Sequence, residues 1–346
     1  MIERMEQYGY EFVDLHQKEK GEFVEYICPN NITHMNARQY FNKRNFRTDI
    51  TCQSCLTNKS SYGETMLCEY VKSLIGENNV IQNDRSVISP KEIDVFIPSH
   101  NLGIEFNGLY YHAFENGKDE SYHYMKYKNC LDRGVELMQF FEDEWLYKEN
   151  ICKSMIKNKL GLNDLKIYAR QCSIEELKPT TAKEFVDNNH LYGYKKCSMK
   201  LGLYYGDELV QVMTFSKNNH SRKQKGWEVD RFCSLLYTNV IGGANRLFQY
   251  FIRNYNPEEV ISYADLRFGA GKIYENLGFK FNKNTVAGYC YFIPMVCIER
   301  IHRYNLRKTE SERDSDKTEF ELRNEQGYYR IYDAGHAKWL WTKTFE

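Results

Sequence analysis

The stretch KEIDVFIPSHNLGIEFNGLYYH, Lys91 to His112, decides how this chain is read. Ile93, Val95 and Ile97 alternate with Glu92, Asp94 and Phe96. After Pro98, Ser99, His100 and Asn101, the residues Leu102, Ile104 and Phe106 alternate with Gly103, Glu105 and Asn107. Period-two alternation on both sides of a short turn predicts a β-hairpin in which Ile97 pairs with Leu102. Counting outward sets Asp94 opposite Glu105, with Cβ atoms about 4.5–5.5 Å apart on one face. Carboxylates opposed in this way destabilise a sheet unless a cation neutralises them. Mg²⁺, which takes carboxylate oxygens and keeps water for chemistry, is one such cation. A solvated polar face on an ordinary hairpin is the plainer reading.

The flanks extend the pattern. Ser61-Tyr62-Gly63-Glu64 opens the apolar series Met66, Leu67, Tyr70, Val71, Leu74 and Ile75, which predicts an amphipathic helix. Glu64 is then either a third acid of a site or the partner of Ser61 in a capping box, and Glu69 rivals it as the helical acid. Tyr110-Tyr111-His112 follows the hairpin, His123 and Lys126 fall on a further helix, and the strand VELMQFF ends in Glu142-Asp143-Glu144-Trp145. Each has a plain alternative: an interior histidine, or a solvated strand end.

GETMLCEYVKSLIG, EIDVFIPSHNLGIEFNGLYYH and LDRGVELMQFFEDEW together resemble the nuclease core of phage-encoded homing-type endonucleases. These are related to the very-short-patch repair endonuclease and to the EDxHD branch of the PD-(D/E)XK superfamily. The resemblance covers about residues 60–150. It implies that Asp94 and Glu105 hold Mg²⁺ with Glu64 completing the acidic cluster. Asn107 stands where that pattern has a lysine, so His112 or His123 becomes the candidate base or phosphate holder, and Lys126 offers a cation to the DNA backbone.

Lysines and arginines number 47 against 47 acids, a net charge of zero, so any basic face must be offset elsewhere. The apolar fraction of 42% supports packed cores. The 11 cysteines form no regular framework and no run approaches a membrane span, which points to a soluble protein of a reducing compartment. In residues 1–58, Cys28, His34, Cys52 and Cys55 follow the pattern C-x5-H-x17-C-x2-C, a four-ligand set for structural Zn²⁺ in a ribbon-like module; plain buried cysteines are the alternative. Similar zinc modules precede the nuclease core in the endonucleases just named. Arg38, Lys43 and Arg44 give the module a basic face for phosphates, or simply solvated charge.

Residues 165–300 change rhythm. MKLGLYYGDELVQVMTFSK predicts a hairpin around Gly206-Asp207, WEVDRFCSL a strand, VIGGANRLFQYFIRNY a glycine turn into an amphipathic helix, EEVISYAD a strand, and GAGKIYENLGFKF a helix and strand. That order resembles the GNAT-type acyltransferase fold, in which a glycine turn and helix N-terminus cradle the pyrophosphate of acyl-CoA. A target-DNA recognition or scaffold role is the other reading of this domain, with Arg231, Arg246, Arg267 and Lys272 as candidate contacts to DNA phosphates, or simply surface charge. The charged run 301–326 reads as a linker or solvated helix, and 327–343 as a closing aromatic strand pair or a nucleic-acid platform.

The expected architecture is an α/β (α+β) multidomain chain: a zinc module over 1–58, a nuclease core over 59–160, a GNAT-like domain over 165–300, and a linker with an aromatic segment over 301–346. The resemblance implies a site-directed, Mg²⁺-dependent endonuclease that hydrolyses double-stranded DNA in the cytoplasm of a phage-infected bacterium. Two alternatives stay open: an acyltransferase targeted to DNA, and a non-catalytic DNA-binding protein with a decayed nuclease core.

Overall fold

The computed structural model describes residues 2–6, 9–18, 21–27, 33–38, 62–217, 226–294 and 297–343. Two compact units are formed, one drawn from 1–67, 106–119 and 289–332, the other from 68–105, 120–288 and 333–346. The first holds an antiparallel meander (Glu11–Lys18, Gly21–Ile27, Thr33–Ala37) and a second antiparallel sheet with Tyr289–Ile293 between Cys297–His302 and Tyr329–Tyr332. Within the run expected to be a linker or solvated helix lies the helix Glu319–Glu325. Its first turn is capped by Thr318, whose hydroxyl accepts from the Glu321 N–H at 3.2 Å, and Arg323 turns inward onto Glu312 at 2.7 Å.

The second unit begins with a four-stranded sheet, β1 (Ile81–Asp84), β2 (Ile93–Ile97), β3 (Leu102–Asn107) and β4 (Glu136–Phe141), in that order. The hairpin register is the one the alternation predicts: Ile97 pairs with Leu102, Phe96 with Gly103 and Val95 with Ile104. Pro98–His100 forms one 3-10 turn and Asn101 turns left-handed at φ 46°, which closes the loop tightly. Ile88, Ile93, Phe96, Cys130, Val135 and Leu137 pack beneath it, with Cys130 supplied by α1 (Tyr122–Leu131). Glu142, Asp143 and Glu144 are not a solvated strand end. They open the helix α2 (Glu142–Tyr147), where the Glu144 carboxylate accepts from the Phe141 N–H at 2.9 Å; α3 (Glu149–Lys159) follows.

From Leu165 the strands are β5 (Leu165–Tyr168), β6 (Ser173–Glu176), β7 (Met199–Tyr205), β8 (Glu208–Lys217), β9 (Gly226–Ser234), β10 (Thr238–Ile241), β11 (Glu259–Asp265), β12 (Lys280–Asn284) and β13 (His336–Thr342). Helix α4 (Pro179–Asn189) follows β6, α5 (Gly243–Tyr255) follows β10 and α6 (Lys272–Asn276) follows β11. Seven strands form one mixed sheet in the order β12-β13-β11-β9-β8-β7-β6, while β5 and β10 pair in parallel apart from it. The segment 336–342, expected in a closing strand pair, instead runs inside this sheet as β13, between β11 and β12.

Helices cover both sides of the sheet, which is why β8 is buried without alternation from Val210 to Phe215. Ala182, Phe185 and Val186 of α4 pack with Val212 and Cys233. On α5, Leu247, Phe248 and Phe251 recur at helical spacing and join Leu203, Phe215, Val229 and Val260; the Phe215 and Phe251 rings stack with centroids 3.8 Å apart.

Candidate functional site

At the hairpin mouth the Asp94 N–H donates to a Glu105 carboxylate oxygen at 3.3 Å. The other Glu105 oxygen accepts from the Lys126 ammonium, and both side chains are nearly closed off from solvent. Burial, then the Asp94 charge, pushes the Glu105 carboxyl up from its ordinary range. Burial would lower Lys126, but Glu105 and Asp94 outweigh it and hold the ammonium above its usual value. Glu105 therefore has a counterion of the protein's own, reaching across from α1. Lys126 is not displayed toward a DNA backbone.

The remaining nuclease candidates are scattered in role. His123 is buried on α1, edge-on to the Phe141 ring at 5.3 Å. Glu64 lies half-buried in the first turn of the helix Tyr62–Ile75, and Glu69 is exposed on it beside Lys72. Asn107 is fully buried and neither side-chain atom has a hydrogen-bond partner among the described residues, while the His112 N–H donates to the Gly108 carbonyl at 3.1 Å. Cys28, Cys52, Cys55, Lys43 and Arg44 lie outside the described residues; His34 falls in the strand Thr33–Ala37. Arg38 is exposed and paired with Glu22 at 2.5 Å.

Arg267 and Arg246, two of the three arginine candidates of the second half, meet different fates. Arg267 is fully buried, donating to both Glu144 oxygens at 2.9 Å and to Asp265 at 2.8 Å, so it has no surface to offer a phosphate. Arg246, in the first turn of α5, donates to the Cys172 carbonyl at 2.7 Å. Arg170 lies over the Tyr168 ring at 5.3 Å. Neither Arg246 nor Arg170 has a carboxylate partner among the described residues. Together with Tyr168, Ala169, Ile241 and Gly242 they line a cleft of about 290 Å³.

The cleft sits at the amino end of α5. Gly242 precedes the helix at φ 77°, a left-handed conformation glycine adopts freely, and no side chain caps the first turn. At Gly243 a Cβ would stand 1.8 Å from Gln211 Oε1 and 3.0 Å from Val240 Cγ1, so only glycine lets the helix start this close to β8. Gln211 is buried and donates through Nε2 to the Ser234 hydroxyl at 2.8 Å, so its side chain lies between the start of α5 and the last residue of β9.

There β9 and its parallel neighbour β11 have separated. They pair only at Gly226 with Glu259, Trp227 with Val260 and Glu228 with Ile261. Beyond those three rungs β9 runs on to Ser234 beside β8, and β11 runs on to Asp265 beside β13, leaving a wedge between two parallel edges. Tyr192, from the connection after α4, bridges its mouth. Its hydroxyl donates to Asp265 at 2.5 Å and accepts from Arg267 at 2.8 Å, and its ring lies 5.8 Å from the Arg231 guanidinium. Burial opposes ionisation of Asp265, but Arg267 and His336 outweigh it and hold its carboxyl below the ordinary range. The glycine turn and Arg246 were visible in sequence. Arg170, Gln211, Tyr192 and the wedge were not, because each acquires its role through a partner distant in the chain.

No family model and no curated protein matches this sequence. Solved structures do. Half of this chain, 50%, is similar to 99% of an acetyltransferase from Bacillus subtilis in complex with CoA, at 14% identity and a TM-score of 0.30. The same shares are matched with a GNAT family acetyltransferase from Elizabethkingia anophelis with acetyl-CoA bound (9%, TM-score 0.29) and with an IAA acetyltransferase from Bacillus cereus (10%, TM-score 0.29). These similar structures are acetyltransferases, and the described residues contain no group of three or more His, Cys, Asp or Glu side chains able to hold a metal ion. The expectation of a DNA endonuclease with catalytic Mg²⁺ is corrected on these findings; Cys28, Cys52 and Cys55, three of the four expected Zn²⁺ ligands, lie outside the described residues. No helix of the described residues is long and apolar enough to cross a membrane.

Proposed function

We propose that the seven-stranded unit binds an acyl thioester carried on a nucleotide pyrophosphate, of the acyl-CoA class, and transfers the acyl group to a nucleophilic acceptor. The wedge between β9 and β11 carries this reading. Two splayed parallel strands expose backbone N–H and C=O groups on facing edges, and an extended chain bearing amides can complete them as an added strand would. The chain's own geometry, rather than the distant alignments, supports the fit.

The phosphate end of such a donor matches the cleft. The first N–H groups of α5 lack intrahelical acceptors and carry the positive end of its dipole, and a pyrophosphate satisfies both. Arg170 and Arg246 add guanidinium donors that no carboxylate of the described residues claims. Gly243 keeps the helix start against β8, so the phosphates and the wedge are served by one short stretch of backbone. When bound, the donor supplies an acyl group activated as a thioester. The chain's part is to hold the phosphates at α5, align the arm along β9, and leave the α4 side for the acceptor.

Free thiol release tests the reading. The full chain is incubated with acetyl-CoA and a panel of primary amines. Release that needs both protein and amine, and that falls at least about tenfold in Arg170→Ala/Arg246→Ala, is expected from the loss of two charge-assisted contacts. Acetyl-CoA that binds yet never yields thiol above the buffer rate would reduce the reading to a binding domain.

A further inference from the structure

Arg231 lies on the separated part of β9, three residues before Ser234 and thus about 10 Å along the strand from the end tied to α5. Its Nε donates to the Gly193 carbonyl at 2.7 Å and its Nη1 to the Asp230 carbonyl at 2.8 Å. Among the described residues Nη2 has no partner and no carboxylate pairs with the group. The adjacent Asp230 is taken up elsewhere, by the Lys195 ammonium at 2.5 Å and by the Ser216 hydroxyl. Arg231 is only partly exposed, and burial draws its pKa down. A guanidinium withdrawn from water without a counterion is costly unless a ligand supplies one.

His190 stands beside it. Its Nδ1 accepts the Tyr192 N–H at 3.1 Å, which leaves the ring proton on Nε2. Burial, then the Arg231 and Lys148 charges, lowers its pKa from 6.5 to about 3, so the imidazole is neutral and presents a donor at Nε2. The Arg231 guanidinium at 5.8 Å and the His190 ring at 6.1 Å thus both lie against the Tyr192 ring, on the side of α4. The anionic groups nearby are already engaged: Asp265 and Glu144 by Arg267, and Glu228 by Lys195.

Resting on the acyl-transfer reading above, we infer that Arg231 and His190 bind an oxyanion of the acceptor, so that the acceptor is a small amine that also carries a carboxylate or a phosphate. Arg231 is then a specificity-determining residue, distinct from the donor-holding Arg170 and Arg246.

The test uses the full chain and three probes: 4-aminobutyrate, O-phosphoethanolamine and the uncharged-tail amine butylamine. The NMR signal of the His190 ring is followed as each is added, up to about 50 mM, the range where one arginine contact is readable. Both anionic probes should shift His190 and raise its pKa, butylamine should do neither, and Arg231→Gln should weaken the response about tenfold or more. Arg231→Lys, which keeps charge but not the fork, should fall between. A larger response to one anionic probe names its headgroup as the source. A His190 signal blind to both anions, or equal for butylamine, overturns the inference. Acetyl-CoA affinity is read separately: anion binding without acetyl-CoA binding removes the acceptor role and the acyl-transfer reading together, whereas acetyl-CoA binding without anion binding removes this inference alone.

Discussion

At the hairpin, the Glu105 carboxylate meets the Lys126 ammonium inside the protein, with Asp94 donating its backbone N–H. At the start of α5, among the described residues, Arg246 meets a backbone carbonyl and Arg170 a tyrosine ring, and neither meets a carboxylate. Both places carry a charge that the sequence singles out, Glu105 in one and Arg246 in the other. The difference is where the opposite charge comes from. A buried carboxylate that already has the protein's own ammonium is closed to an outside cation, whereas guanidinium groups and helix N–H groups with no carboxylate among the described residues stay available to an anion.

The comparison breaks first at Lys126. Replacing it with Met leaves the buried Glu105 without its ammonium, and should cost about 3–5 kcal/mol in urea unfolding. Adding Glu105→Gln to that variant should restore much of the loss, because the uncompensated charge goes with it. A Lys126→Met protein of unchanged stability would mean that the pair does not neutralise the site.

Gly243→Ala should come next, at about 1–3 kcal/mol, since the new methyl would collide with Gln211. Gln211→Ala in the same chain should return part of it. Equal losses with and without Gln211 would point to backbone strain in place of the collision.

A further effect is on pH. The folded His190 titrates at about 3 against 6.5 unfolded, so below 6.5 the unfolded chain binds this proton first. Its contribution is therefore neutral above 6.5 and costs stability progressively as pH falls toward 3. His190→Gln should flatten that part of the stability profile between the two values. An unchanged acid slope would place the acid sensitivity in other groups.

How much was legible follows the range of each interaction. Alternation and turn residues are local, so the Ile97–Leu102 register could be read from the chain. The demand for a cation between Asp94 and Glu105 was legible too, but not its answer, because Lys126 arrives from a helix 21 residues beyond Glu105. The turn at Gly242-Gly243 and the apolar face of α5 were likewise plain. The fate of Arg267 was not, since its partner Glu144 lies 123 residues away. Nor was the wedge, which depends on how far two strands stay paired and on β13 entering the sheet from the end of the chain.

The most direct measurement is a pair of calorimetric titrations on the full chain, one with acetyl-CoA and one with Mg²⁺. Acetyl-CoA should bind, and Arg170→Ala/Arg246→Ala should weaken it about tenfold or more, while Mg²⁺ should give no saturable heat that Glu105→Gln removes. Saturable Mg²⁺ binding that depends on Glu105, with no uptake of acetyl-CoA, would contradict the account.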